Sequence, residues 1–142
     1  MNKEEIEIAE IDEREDEELS KKLDEAKIQY PVWKPNNLKQ TIQGIVKEIL
    51  TFQNLNGKEK HGVLINLQTK NDKYPVVSIW ANTVILSNLK RMSDVQIFDS
   101  FDTLTSSLKT NEGKMIALRF EGQVKSSIKG NQPYDNYTLV EI

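Results

Sequence analysis

"LKQTIQGIVKEILTFQ", Leu38 to Gln53, is the stretch on which the fold turns. Ile42, Gly44 and Val46 recur at period two, the spacing of one face of a strand. The phase slips near Lys47–Ile49, and Leu50 and Phe52 follow. A glycine inside a strand, next to a phase change, suggests a bulge or a sharp coil. Strands bent in that way are what a small barrel requires.

Working toward the C-terminus, "NLNGKEK" (Asn54–Lys60) is turn chemistry, Asn-Gly followed by charges. "HGVLINLQT" (His61–Thr69) alternates Val63, Ile65 and Leu67 as a second strand. After the turn "KNDKY", "PVVSIWA" (Pro75–Ala81) forms a third. It carries Val77 and Ile79 on one side and Val76, Ser78 and Trp80 on the other. The period then changes. Val84, Leu86 and Leu89 stand at near-helical spacing behind a candidate N-cap, Asn82 or Thr83. Ile97, Phe101, Leu104 and Leu108 extend the series until Asn111 and Gly113 stop it. Two short helices fit this stretch, and so does one helix plus a partly ordered loop. Gly113–Gly122 alternates again through Ile116, Leu118 and Phe120, and Tyr137–Ile142 makes the last strand. A connection of roughly a dozen residues between them is too long for a tight hairpin, and surface loops of that length usually carry function or move.

Three strands, a helical insertion and two strands are the order of the OB-fold, a five-stranded, partly open Greek-key barrel. The expected class is therefore all-β, an OB-fold with a helix or helices after strand three and an acidic N-terminal extension. Strands at both ends with hairpin-length loops exclude helix-bundle and Rossmann readings.

Toward the N-terminus the chemistry reverses sign. Residues 1–27 hold twelve acids against five bases, a net −7; with −3 overall, the rest of the chain carries +4. Few large apolar groups occur there, and a frayed helix from about Glu13 to Lys27 is the most order it supports. The expected division is an acidic leader, 1–29, and an OB-fold domain, 30–142. "YPVWKPNN" (Tyr30–Asn37) hinges them: its two prolines favour extended backbone. Trp33, between them, reads first as a plug for the end of the barrel and second as a surface for stacking a ligand.

The 142 residues contain no cysteine, which removes disulfides, thiolate nucleophiles and Cys-based zinc sites. No apolar run approaches the ~20 residues of a membrane span, and the acidic start lacks the blocks of a signal peptide. A cytoplasmic, intracellular protein without membrane contact is expected. His61 is the single histidine, with no nucleophile or acid spaced beside it, and Asp94, Asp99 and Asp102 lack a facing carboxylate cluster. No catalytic residues, metal site or cofactor are expected, and the chain reads as a non-enzyme.

"VWKPNNLKQTIQGIVKEI", "VVSIWANTVILSNLK" and "GKMIALRFEGQVKSSIKGNQPYDNYTLVEI" together resemble small OB-fold proteins of phages and other mobile elements. The shared pattern is a Trp-x-Pro lead-in, a glycine within the first strand, a helix after the third, and a strand–Gly–basic loop–Tyr–strand finish. It covers about 33–142. Several proteins of that group bind single-stranded DNA, so the resemblance implies such a ligand and a role in replication or recombination.

An OB barrel takes single strands on the face of strands two and three and on the flanking loops, with lysines on phosphates and aromatic rings on bases. The candidates by position are Lys58, Lys60 and His61 in the first loop, Lys70, Lys73 and Tyr74 in the next turn, and Trp80 on strand three. Arg119 on strand four follows, then Lys125, Lys129 and Tyr134 in the late loop. Each has a plainer alternative. The lysines can face water, Trp80 can be structural and Arg119 can be the solvated side of its strand. Lys90 and Arg91 are accounted for by a helix C-terminus, where cations complement the dipole. The expected partner is single-stranded DNA or RNA, with a protein partner for the acidic leader. The other reading is an adaptor whose barrel contacts proteins of a virion or replisome.

Overall fold

The computed structural model describes residues 17–54, 61–125 and 132–142. Lys58, Lys60, Lys129 and most of the acidic leader lie outside the described residues. The elements in chain order are α1 (Glu17–Ala26), β1 (Thr41–Phe52), β2 (Gly62–Gln68), β3 (Val76–Trp80), α2 (Thr83–Met92), α3 (Phe101–Lys109), β4 (Met115–Val124) and β5 (Tyr134–Glu141). The chain is mostly β: one antiparallel five-stranded sheet in the order β3-β2-β1-β4-β5.

β1 is the pivot. Its first half, Thr41–Ile45, pairs with β4, and from Ile45 to Phe52 it pairs with β2. The register breaks between Val46 and Glu48, so the phase slip in the sequence is a bulge at Lys47. Gly44 permits the bend. A Cβ there would sit 2.9 Å from the Gln68 carbonyl carbon and closer still to its oxygen, so the backbones approach where only hydrogen fits.

The helical insertion resolves into two helices. Asn82 caps α2, its Oδ1 accepting from Ile85 N at 3.0 Å, and its Nδ2 donates to Asp135 O of β5 at 2.7 Å. Ser100 caps α3 through a reciprocal capping box with Thr103. Behind α3 the chain turns at Gly113, whose φ of 91° suits a residue without Cβ. Asn111 is buried there, its amide donating to Leu89 O at 3.2 Å and Ser93 Oγ at 3.0 Å. Ile85, Leu89, Leu104 and Leu108 from the helices close one face of the sheet over Ile49, Ile65, Leu67, Ile116 and Leu118. This is the core, and its burial supplies the main stabilisation.

One expectation changes. β5 begins at Tyr134 rather than Tyr137, because Gln123 and Val124 continue the ladder to Asp135 and Tyr134 past a bulge at Glu121. Asp and Asn are poor strand formers, and cross-strand pairing overrides that preference. The sheet is open: among the described residues no ladder joins β3 to β5. The free edge of β3 is already taken by the hinge. Ser78 N donates to Pro31 O and Trp33 N donates to Ser78 O, each at 2.8 Å, in a parallel bridge at Val32. Trp33 then fills the seam, packing on the core with its ring 6.3 Å from that of Tyr137 on β5.

Candidate nucleic-acid interface

The outer face of β1, β2 and β3 is the surface on which sequence reasoning sets the ligand. Phe52, Leu64, Asn66 and Ser78 point to it, and all four are buried. Residues 27–33 lie against this face as a strap. The Lys27 ammonium sits 5.2 Å over the Phe52 ring. Tyr30 accepts a hydrogen bond from Lys47 Nζ at 3.1 Å, and the hinge bonds to Ser78 as above. Beneath the strap the polar groups satisfy one another. Ser78 Oγ donates to Asn66 Oδ1 at 2.6 Å, and Asn66 Nδ2 donates to Glu48 Oε1 at 3.0 Å. Trp80 belongs to this covered layer, half-buried with its ring 5.5 Å from Phe52.

The remaining candidates separate. His61 precedes β2 and packs at a tilt against Phe101 at the start of α3, 5.1 Å between rings. Arg119 lies on the outer face of β4, where its guanidinium donates to Glu121, which Lys39 also approaches at 3.5 Å. The hydrogen bond from Arg119, followed by the charges of Arg119 and Lys39, holds the Glu121 carboxyl below its usual range. A guanidinium already compensated in this way offers less to a phosphate. Lys70, Lys73 and Tyr74 share the β2–β3 turn, with the Lys73 ammonium 5.4 Å over the Tyr74 ring. Lys125 is exposed just past β4, beside Val124, which pairs with Tyr134.

Two of these sets line hollows. Tyr134 stands at the mouth of a cleft of about 550 Å³ between α2 and the start of β5. Thr83, Val84, Ser87, Asn88, Arg91 and Gln132 complete its walls. Among the described residues Arg91 is the one charged residue lining it, and no carboxylate does. Tyr134 is 43% exposed, enough ring to stack a planar ligand. Lys70 and Tyr74 line a second hollow at the start of β1.

Sequence reasoning assigned Arg91 only to the helix dipole and Thr83 only to a possible N-cap, and passed over Ser87 and Gln132. A signal was present: Thr83, Ser87 and Arg91 recur every fourth residue, one polar helix face. What the face looks onto depends on β5, which Asn82 ties to α2 through the Asp135 carbonyl.

Among the described residues no three histidine, aspartate or glutamate side chains cluster as metal ligands, and no helix is long and apolar enough to cross a membrane. Searches against family models, curated proteins and solved structures found no match. What the clefts can hold therefore follows from their own chemistry.

Proposed function

We propose that this chain is a single-stranded nucleic-acid-binding module, with DNA as its ligand, on a partly open OB-type barrel. The strand order supports the barrel reading: β3-β2-β1-β4-β5 is what remains of a five-strand Greek-key barrel opened between β3 and β5. The observation that carries the function is the α2–β5 cleft, where an exposed tyrosine ring, a guanidinium and neutral donors converge and no carboxylate stands among the described lining residues. A phosphate of the strand pairs with Arg91, the next with Lys125, and a base stacks on Tyr134. Stacking of this kind is worth roughly 1–3 kcal/mol per base and tolerates any sequence. Gln132, Asn88 and Ser87 offer hydrogen bonds to sugar and base edges.

Titrating labelled dT and rU oligomers into the full chain at low salt tests this. Saturable binding, weakened at least about fivefold in Y134A and in R91A, is expected. Absence of binding at low salt, or variants that bind like the parent, would overturn it. Tighter binding of dT than rU would support DNA as the ligand.

One observation favours the adaptor reading. On the outer face of β1, β4 and β5, Ile45, Val140 and Ile142 are 43%, 47% and 59% exposed, around Met115 and Ala117. A contiguous apolar surface of this kind suits a protein partner. A stable complex without nucleic-acid affinity would select it.

A further inference from the structure

Beside the second hollow lies another, and the two share a wall. The larger, about 350 Å³, has an apolar floor of Trp33, Ile42 and Val77, with Lys70, Asn71 and Tyr74 toward its rim. The smaller, about 250 Å³, runs along Ile45 and Met115 and shares Gln43, Thr69 and Lys70 with the first. Their common wall is the β2–β3 turn, and that turn is built in advance. Thr69 Oγ1 donates to Tyr74 O at 2.7 Å and accepts from Asn71 N at 3.1 Å. Asn71 Oδ1 accepts from the backbone N–H of Lys73 at 2.9 Å and of Tyr74 at 3.0 Å. A rim held by its own side-chain-to-backbone bonds loses little freedom when a ligand arrives.

Charge identifies the ligand class. Among the described residues Lys70 is the only charged one lining either space, in a chain with 22 acids and 19 bases. The floor is aromatic and aliphatic, and the larger space falls within the range of small-ligand pockets, roughly 300–1,000 Å³. A planar apolar group with an attached anion matches that lining.

We propose that this double hollow is a nucleotide pocket, separate from the α2–β5 cleft. The base lies in the larger space against Trp33 and Tyr74, Lys70 holds the phosphate, and Gln43 and Thr69 face the sugar. The choice of nucleotide as ligand rests on the function proposed above, but none of the residues does.

The test uses the full chain with 5′-dAMP, 5′-dTMP and deoxyadenosine as probes. The chain has two tryptophans, so W80F leaves Trp33 as the only indole reporter. Saturable quenching by both nucleotides is expected, with deoxyadenosine binding more weakly. K70A is expected to weaken dAMP about fivefold and to erase its advantage over the nucleoside. Y74A weakens both by at least about fivefold. Should W80F impair folding, the Trp33 indole N–H resonance of the parent chain reads the same titration. No response at Trp33, or a response indifferent to K70A and Y74A, overturns the pocket. A response abolished by R91A moves the ligand to the other cleft and also overturns it. Oligomer binding through Arg91 and Tyr134 with a silent Trp33 leaves the proposed function standing without this pocket. A Trp33 response without oligomer binding keeps the pocket and sinks strand binding.

Discussion

At Gly44 a single hydrogen atom decides how β1 is shared. The carbonyl of Gln68 occupies the volume a Cβ would need, and it is backbone on the terminal pair of a ladder, so it cannot rotate away. Gly44→Ala must therefore push β2 off β1 or flatten the bend that brings β4 alongside. A loss of about 2 kcal/mol or more is expected, read as a lower midpoint in urea and a lower Tm. A variant as stable as the parent would show that the close approach is not required. This residue was legible in the sequence, because a glycine next to a phase slip has few other uses in a strand. Arg91 was not legible in the same sense. Its charge and helix position were plain, yet nothing in the chain order of α2 says that Tyr134 stands opposite.

Among the elements, α2 and the strap govern what the sheet exposes. Asn82 both caps α2 and ties it to β5 through Asp135 O, so one side chain sets the width of the Tyr134 cleft. Asn82→Ala removes the cap and leaves the Asp135 carbonyl without that donor. The expected cost is about 1–2 kcal/mol of stability, together with weaker oligomer binding although residue 82 does not line the cleft. Differential scanning calorimetry and the dT titration check both effects; unchanged binding would uncouple the cap from the cleft. The strap shows the limit of reading elements one by one. "YPVWKPNN" announces extended backbone and a plug, which is what Trp33 forms. That its peptide groups pair with Ser78, and so occupy the edge β5 would need, depends on a contact across some 45 residues of chain. Trp80 follows from the same fact. Its place on strand three was correct, and the strap is what takes it from an open face into a covered one.

For the whole molecule the question is how a chain of net charge −3 would bind the polyanion proposed for it. The acids are concentrated in residues 1–27, and among the described residues no carboxylate lines either of the two clefts proposed as binding sites. Local potential rather than net charge governs the encounter. If Arg91 and Lys125 each neutralise one phosphate of the strand, log affinity should fall against log salt with a slope of about −1.4. R91A should make the slope shallower by about 0.7. A slope near zero would assign oligomer binding to stacking alone.

Periodicity, the misplaced glycine and the charge division already determined a mostly β chain with a bent first strand, a helical insertion and an acidic start. Those properties are local: they depend on side-chain spacing and backbone preference within a few residues. The tertiary structure alone decided which edge of the sheet stays open, that the outer face of strands two and three is covered, and that Tyr134 and Arg91 line one cleft while Tyr74 and Trp33 line another. Such pairings depend on packing between segments far apart in the chain, where shape and hydrogen-bond competition for one strand edge outweigh any local signal.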